Sequence, residues 1–485
     1  MGWRVAQIAA EVAPFAKTGG LGDVVAGLSR ALGRCGHDVR VFLPFYQRVA
    51  KLDFPFVVVD FLRDLEIRLG ERRLTYSVLT ARLPDSEVDV YFVHCPALYH
   101  HDGIYSGDWD EYLRFALLSR AALECCQRMG WAPDVAHVHD WHTALVPLYL
   151  RTLFAWDRLF AETRTVLTLH NLGYQGVFGA QTLGDLGLAA HAHLLHQEDL
   201  AGGRVSFLKT GLLYADALTT VSRTYAREIQ TPEHGFGLDP LLRARADRLV
   251  GIVNGVDYGE WDPAGDPHLP HKYSAKSLAG KAKMKRALLE KIGLPSRKET
   301  PVVGIVSRLT PQKGLDLLFD TLPDFLYHRD VRFVALGSGE ERYESFLAWL
   351  QVSFPGKAWY YRGYNEELAH WIEAGSDLYV MPSRYEPCGL NQMYSLRYGT
   401  PPVVRRTGGL ADTVELWNPV AQQGTGFPFD HFTPEGLRWA LDYALRVFED
   451  AKAWKQLMLN GMAQDFSWER QVLPYEELYE RRLRG

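Results

Sequence analysis

Two short segments near opposite ends of the chain repeat one pattern, Lys17-Thr18-Gly19-Gly20-Leu21-Gly22-Asp23-Val24 and Arg406-Thr407-Gly408-Gly409-Leu410-Ala411-Asp412-Thr413-Val414. Each sets a base and a glycine pair between an apolar, strand-like run and a helix-like run. Glycine lets backbone amides approach an anion closely, and a helix N-terminus favours negative charge. A chain that uses this device twice, once in each half, is expected to fold as two nucleotide-fold domains that grip a phosphorylated ligand from two sides.

The length allows it. At 485 residues the chain exceeds what one hydrophobic core usually organises. Short apolar runs alternate with helical patterns throughout, the signature of parallel α/β layers. In the first half strands are expected at Val5–Ala10, Asp38–Leu43, Val88–His94, Val135–His139, Thr165–Leu169 and Ala217–Val221, with a short one at Gly251–Val253. Helices are expected at Gly22–Arg34 and Ser222–Ile229, and Leu62–Ala81 reads as antiparallel strands added at a sheet edge. A second series gives strands Val302–Val306, Arg332–Leu336, Ala358–Tyr361, Leu378–Met381 and Pro402–Val404, separated by helices such as Gly314–Thr321 and Tyr343–Gln351. Tyr258–Ser274 has no period and is rich in Pro, Asp, Gly and His, so it reads as linker. A last helical pattern covers Pro474–Arg484.

Composition narrows the class. A net charge of −5 gives no electrostatic footprint for nucleic acid, and the basic cluster Lys281 to Arg286 reads as a solvated helix face. The five cysteines, Cys35, Cys95, Cys125, Cys126 and Cys388, form neither a CxxC pair nor a disulfide framework. This fits a reducing, cytoplasmic setting. No apolar stretch of about 18 residues is present, so no membrane span is expected. The N-terminal apolar run, interrupted by Glu11 and Lys17, reads as a strand rather than a signal segment.

The loops at the strand ends carry the chemistry. Ser307-Arg308-Leu309-Thr310-Pro311-Gln312-Lys313-Gly314 follows a buried strand and opens a helix. Its two cations, Arg308 and Lys313, suit a diphosphate that must depart as a leaving group. Glu386-Pro387-Cys388-Gly389-Leu390 follows another strand, and Pro387 restricts Glu386 to extended backbone. One carboxylate beside free helix-start amides and two cations fits sugar-diphosphate chemistry. In the first half, His139-Asp140-Trp141-His142 and His170-Asn171-Leu172-Gly173-Tyr174 offer His, Asn and Asp to sugar hydroxyls, with Trp141 and Tyr99 as candidate stacking platforms. His137, His139 and His142 have a metal-like spacing, but no carboxylate pattern accompanies them and no metal is expected. A dinucleotide reading fails, because Gly20-Leu21-Gly22 is followed by Val25 and the second strand runs Val41-Phe42-Leu43-Pro44 without an acid for a ribose. A Walker A sequence is also absent.

Taken together, these segments resemble the bacterial glycogen synthase and plastid starch synthase family of GT-B glycosyltransferases. The resemblance rests on KTGGLGDV at Lys17–Val24, HDWH at His139–His142, TLHNLGYQG at Thr168–Gly176, the segment Ser206–Ser222, NGVD at Asn254–Asp257, SRLTPQKG at Ser307–Gly314, EPCGL at Glu386–Leu390 and RTGGLADTV at Arg406–Val414. It implies two Rossmann-like domains with an interdomain cleft: residues 1–256 on the acceptor side, with a C-terminal helix within 467–485 crossing back, and residues 257–466 binding the nucleotide sugar. It further implies transfer of glucose from ADP-glucose to the non-reducing 4-hydroxyl of an α-1,4-glucan with retained configuration, without cofactor. By position, Glu386, Arg308, Lys313 and His170 match the catalytic set. Lys17, Gly20, Asp23, Tyr99, Asp140, His142, Asn171, Asn254, Tyr364, Cys388, Gly389, Leu390, Thr407, Gly408 and Gly409 match substrate-binding positions, with Asn254 as the interdomain asparagine, Tyr364 stacking on the nucleobase, and Asp140 and His142 on the acceptor side. The favoured route has no covalent enzyme intermediate. A glucan phosphorylase carrying pyridoxal phosphate, a non-catalytic glucan-binding protein on the same fold, and UDP-glucose as donor are the alternatives.

Overall fold

The computed structural model describes residues 2–101 and 103–483; Arg484, where the last helical pattern ends, and residues 1 and 485 lie outside the described residues. The chain divides into two compact units, one made of Met1–Val221, Ala226–Gly255 and Trp468–Gly485, the other of Ser222–Tyr225 and Val256–Ser467.

In the first unit the strands are β1 (Arg4–Ile8), β2 (Asp38–Pro44), β3 (Val57–Val58), β4 (Leu65–Leu69), β5 (Arg72–Arg82), β6 (Asp89–His94), β7 (Val135–His139), β8 (Arg164–Leu169), β9 (Val177–Gly179), β10 (Arg204–Ser206), β11 (Ala217–Thr220) and β12 (Leu249–Gly251). The main sheet runs β12-β11-β8-β7-β1-β2-β6-β5-β3, with β4 paired to β5. It is parallel from β12 to β6, and antiparallel where β5 meets β6, β3 and β4. The edge hairpin expected in Leu62–Ala81 is therefore present as β4 and β5. The small β9–β10 pair was not legible, since three residues are too few to show a period. Helix Gly20–Arg34 buries Leu21, Val24, Val25, Leu28, Ala31 and Leu32 on one face, with Asp23 in its first turn and Arg34 in its last, as the helix dipole favours.

The terminal segment is built into this unit. The Trp468 indole lies against two glycines: a Cβ at Gly27 would sit 2.0 Å from its Nε1, and one at Gly255 would sit 2.4 Å from its Cδ2. Further along, His37 pairs with Glu476 at 3.2 Å, and Tyr479 meets His137 Nδ1 at 2.9 Å.

The second unit holds β13 (Val302–Val306), β14 (Arg332–Gly337), β15 (Ala358–Arg362), β16 (Leu378–Met381), β17 (Pro402–Arg405) and β18 (Phe427–Phe429) in the order β15-β14-β13-β16-β17-β18, all parallel. Alternate residues serve opposite faces, as strand geometry requires. Val303, Ile305, Phe333 and Ala335 join the core formed with Leu318, Leu322, Phe325, Leu437 and Leu441, while Val302, Val334 and Leu336 pack with Leu288, Leu289, Leu368 and Ile372. β18 escaped the sequence pattern.

Two expectations need correction. Lys281 and Lys285 are buried rather than solvated: Lys281 Nζ donates to Ala374 O and to Thr400 Oγ1 (3.1 and 2.6 Å), and Lys285 pairs with Asp377 at 2.7 Å. Lys283 and Arg286 alone keep the solvated character. The stretch Tyr258–Ser274 lacks helix and strand, as expected, yet it is packed into the second unit, with Asp266 fully buried and Tyr273 OH donating to Tyr398 O at 2.9 Å.

The glycine contacts give a direct test. Trp468→Ala should cost about 3–5 kcal/mol of stability, read as a lower denaturant midpoint; an unchanged midpoint would contradict the packing described.

Candidate active site

Parallel pairing gathers the loops that follow β8, β7 and β1 at one edge of the first unit, because these strands are neighbours. After β1, the buried carboxylate of Glu11 holds the glycine loop: Oε2 accepts from the amides of Thr18 (2.6 Å) and Gly19 (3.3 Å), and Oε1 accepts from Thr18 Oγ1 (2.7 Å) and Tyr105 OH (2.5 Å). The upstream amides of the expected anion cradle thus already serve an anion of the chain itself. Gly20 is exposed at the helix start, and Lys17 forms an ion pair with Asp23 at 2.7 Å. The role of Glu11 in holding the loop is not among the sequence expectations; a lone acid at the end of an apolar strand, just before a glycine loop, is the signal that could have pointed to it.

After β7 comes Asp140, at φ +53, whose Oδ1 accepts from the amides of His170 (2.7 Å) and Asn171 (3.4 Å). Burial pushes its carboxyl up to about 7, against the downward pull of those two amides. Asn171 Oδ1 caps the amide of Gly173 at 3.0 Å. His139 Nε2–H donates to Gln7 Oε1 (2.7 Å), which leaves Nδ1 of the neutral ring to accept from His170 Nε2–H at 3.0 Å. His170 therefore presents Nδ1 as its free acceptor. Burial draws His137, His142 and His170 down to about 3, and His139 well below its ordinary value. His137 and His139 stack on one face of β7, ring centroids 4.6 Å apart, as the strand alternation requires. His142 stacks on Tyr105 at 5.0 Å, and its Nδ1 is buried without a partner. The side-chain Oδ1 of Asn254 is likewise buried and unpaired.

Tyr99 and Trp141 are not stacking platforms. Tyr99 is fully buried and its hydroxyl donates to Arg114 O at 2.7 Å. Trp141 is buried among Phe115, Phe178 and Phe207, with its ring also filling the space a side chain at Gly176 would need. An aromatic beside a polar motif reads alike in sequence whether its ring faces core or solvent.

In the second unit the loops after β13, β16 and β17 meet at the corresponding edge, since β13, β16 and β17 are neighbours. Lys313 Nζ lies 2.7 Å from Glu386 Oε2, and Ser383 Oγ donates to the same oxygen at 2.9 Å. Glu386 is 5% exposed, so this is a shielded ion pair held by a third group. Arg384 N donates to Gln312 O at 2.9 Å, tying the two loops together. Arg308 is exposed, and its guanidinium has no hydrogen-bond or ion-pair partner among the described residues. Tyr364 is exposed at 71%, after β15.

The second glycine pair has a structural duty that the anion-cradle expectation overlooked. A Cβ at Gly408 would fall 1.9 Å from Glu386 O, and one at Gly409 2.1 Å from Cys388 O; Gly409 N donates to Glu386 O at 3.1 Å. Gly408 and Gly409 thus press against the backbone of 386–388 and constrain the segment that carries Glu386, with Thr407 immediately before them. Cys388 is buried, and Gly389 adopts φ +76 ahead of Leu390 and helix Asn391–Arg397.

The matches to known proteins cover both units. Residues 4–244 match the family model of the starch synthase catalytic domain, and 289–457 that of glycosyl transferases group 1. A glycogen synthase of Koribacter versatilis is 47% identical over 481 residues, 98% of each chain. The chain belongs to the glycogen synthase family. A second family member, from Anaeromyxobacter dehalogenans, is 48% identical over 97% of this chain and 98% of its own. Among solved structures, the catalytic domain of starch synthase IV from Arabidopsis thaliana, bound to ADP and acarbose, matches with TM-score 0.91 and 35% identity over the whole of both chains. Sucrose-phosphate synthase from Thermosynechococcus elongatus matches with TM-score 0.63 at 16% identity, covering 99% and 98%, which speaks for the fold alone. The fold is GT-B, two Rossmann-like α/β units, and the chain is a glycosyltransferase.

Two outcomes follow from this geometry. Gly409→Ala should lower kcat at least about tenfold while the chain stays folded, because the Cys388 carbonyl must move and Glu386 with it; retained kcat would refute the positioning role. The buried histidines set a pH response. Their folded values lie below the ordinary 6.5, so their contribution is whole above pH 6.5 and is lost as pH falls toward 3, by roughly 1.4 kcal/mol per pH unit for each. Asp140, raised from 3.8 to about 7, works the other way: its folded form gains stability as pH falls from 7 toward 3.8. The histidines outnumber it, so the denaturant midpoint should fall between about pH 6.5 and pH 4.5; a flat profile would contradict their burial as neutral rings.

Proposed function

We propose that the chain transfers glucose from ADP-glucose to the non-reducing 4-hydroxyl of an α-1,4-glucan, with retention, in glycogen synthesis. The observation that carries the residue-level reading is the shielded Lys313–Glu386 pair at the C-terminal edge of the second unit's sheet. Membership of the glycogen synthase family supports the reaction, and the starch synthase relative solved with ADP and acarbose supports an adenine nucleotide on the donor side and a glucan-like chain on the acceptor side.

In this reading Arg308 and Lys313 hold the diphosphate. Without donor, Lys313 neutralises Glu386; an incoming diphosphate competes for the same ammonium and frees the carboxylate for the sugar hydroxyls. The bond between the anomeric carbon and the diphosphate oxygen then breaks, with the electron pair leaving on the nucleotide, where the two cations offset it. The acceptor hydroxyl attacks from the same face and passes its proton to the departing phosphate. Tyr364, exposed after β15, stacks on the base, and Cys388, Gly389 and Leu390 shape the space around the sugar. On the first unit, Lys17, Gly20 and Asp23 form an anion-facing loop. His170, with Nδ1 free to accept, and Asn171 receive sugar hydroxyls; Asp140, which also holds that loop through the amides of His170 and Asn171, and His142 serve the acceptor side. Asn254, whose Oδ1 is buried and unpaired, accepts a hydrogen bond from substrate. The chain acts in the cytoplasm, and no helix of the described residues is long and apolar enough to cross a membrane.

Nucleotide release from ADP-glucose and from UDP-glucose, each with and without glycogen, tests this reading together with Lys313→Ala. Primer-dependent release from ADP-glucose is expected, with kcat reduced at least about a hundredfold in the folded variant. Preference for UDP-glucose would overturn the donor. Release from neither, with an absorbance band for pyridoxal phosphate, would favour the phosphorylase.

A further inference from the structure

Away from these loops, the second unit brings together His268, Glu366 and His370, whose ligand atoms all lie within 4.8 Å of one another. His268 belongs to the irregular stretch that precedes helix Ala279–Lys291. Glu366 and His370 stand four residues apart on helix Glu366–Gly375, which places them on one face.

His370 is the informative member. It is fully buried, and its Nδ1–H donates to Asp266 Oδ2 at 2.8 Å, a carboxylate oxygen that also accepts from Tyr398 OH at 2.5 Å. Asp266 is fully buried too, with its other oxygen, Oδ1, accepting from the amide of His268. With Nδ1 as the donor, Nε2 of the neutral ring carries a lone pair, and Nε2 is buried with no hydrogen-bond partner. A buried acceptor left unsatisfied costs free energy unless something outside the chain fills it. The ring cannot turn to find a partner, because Trp261 stacks on it with centroids 3.7 Å apart and planes 13° apart. His268 lies alongside, ring centroids 4.6 Å away, and is fixed at both backbone ends: its amide donates to Asp266 Oδ1 (2.8 Å) and its carbonyl accepts from Trp371 Nε1 (2.8 Å). Glu366 is exposed and has no ion-pair partner among the described residues.

We infer that His268, Glu366 and His370 form a divalent-metal site, with Asp266 as the carboxylate that orients His370. Two imidazoles and one carboxylate suit zinc, with water in the fourth position toward solvent beside Glu366. A carboxylate on the far nitrogen of a ligating histidine is the arrangement that fixes the tautomer and raises basicity. A tetrahedral zinc with bonds of about 2.0–2.2 Å sets its ligand atoms roughly 3.3 Å apart; the side chains of Glu366 and the half-buried His268 are the ones free to close that distance. The ion would clamp the 258–274 stretch to helix Glu366–Gly375 within the second unit. The role is structural and independent of the glucosyl-transfer reading.

The test uses the full chain, stripped with chelator and titrated with Zn²⁺ by calorimetry, with thermal melting in parallel. One zinc per chain and a higher Tm with zinc are expected. Glu366→Gln combined with His268→Ala changes two groups outside the core and outside the loops assigned to the reaction, and should abolish both effects while the chain still folds. Co²⁺ in place of zinc should give a visible spectrum of nitrogen and oxygen ligation without a thiolate charge-transfer band, which separates this site from the cysteines. No stoichiometric zinc, equal affinity in the double variant, or a thiolate band would each overturn the assignment.

Discussion

Parallel strand pairing is the constraint on which both units depend. A parallel strand must be followed by a crossover, so every strand delivers its following loop to the same edge of the sheet. In the first unit β8, β7 and β1 are adjacent, and that adjacency brings Asp140 against the amides of His170 and Asn171 and places Glu11 near enough for its charge to act on Asp140, although they are far apart in sequence. In the second unit the neighbours β13, β16 and β17 do the same for Lys313, Glu386 and Gly408. The polar groups at these edges are positioned by strands that are almost wholly buried, with the few polar side chains among them, such as Gln7, His137 and Thr168, hydrogen-bonded to one another or to neighbours.

The strands themselves were legible because a strand buried on both faces tends to be a near-continuous apolar run, and Val302–Val306 can be little else. The placement of polar loops at strand ends was legible too, as with the two bases before the helix that follows β13 and the glutamate before Pro387, and the structure pairs Lys313 with Glu386. Three kinds of residue were not. Tyr99 and Trp141 turn inward, and nothing in their neighbours' identities reports the direction of a ring. Lys281 and Lys285 are buried because Ala374 O, Thr400 and Asp377 come to meet them, partners set by tertiary packing. Glu11 was visible only as an interruption of an apolar run, although it organises the first glycine loop. The short strands Val177–Gly179 and Phe427–Phe429 lie below the length at which any period can be read.

The two glycine pairs show how one sequence pattern can answer to two physical demands. At Gly408 and Gly409 the side chains are missing because the backbone of 386–388 occupies their place. At Gly19 a Cβ would meet nothing within 4 Å, so open space and amide access, rather than crowding, distinguish that loop. Resemblance in sequence identified both as related devices; only the structure separates a glycine that admits a neighbouring backbone from one that leaves room. The same distinction between satisfied and unsatisfied groups separates the buried histidines: His137 and His139 have partners on both ring nitrogens, whereas His142 Nδ1 and His370 Nε2 are buried without one.

The seat of Trp468 against Gly27 and Gly255 has a consequence for how the protein is made. Gly27 and Gly255 leave the ribosome early, and Trp468 follows only after the entire second unit has been synthesised. Until then the first unit carries an unfilled slot in its core, next to the sheet whose edge holds the loops of Glu11, Asp140 and His170. Its completion is therefore a late event in biosynthesis, and the second unit, which is nearly continuous in sequence, has the opportunity to fold before the first is closed.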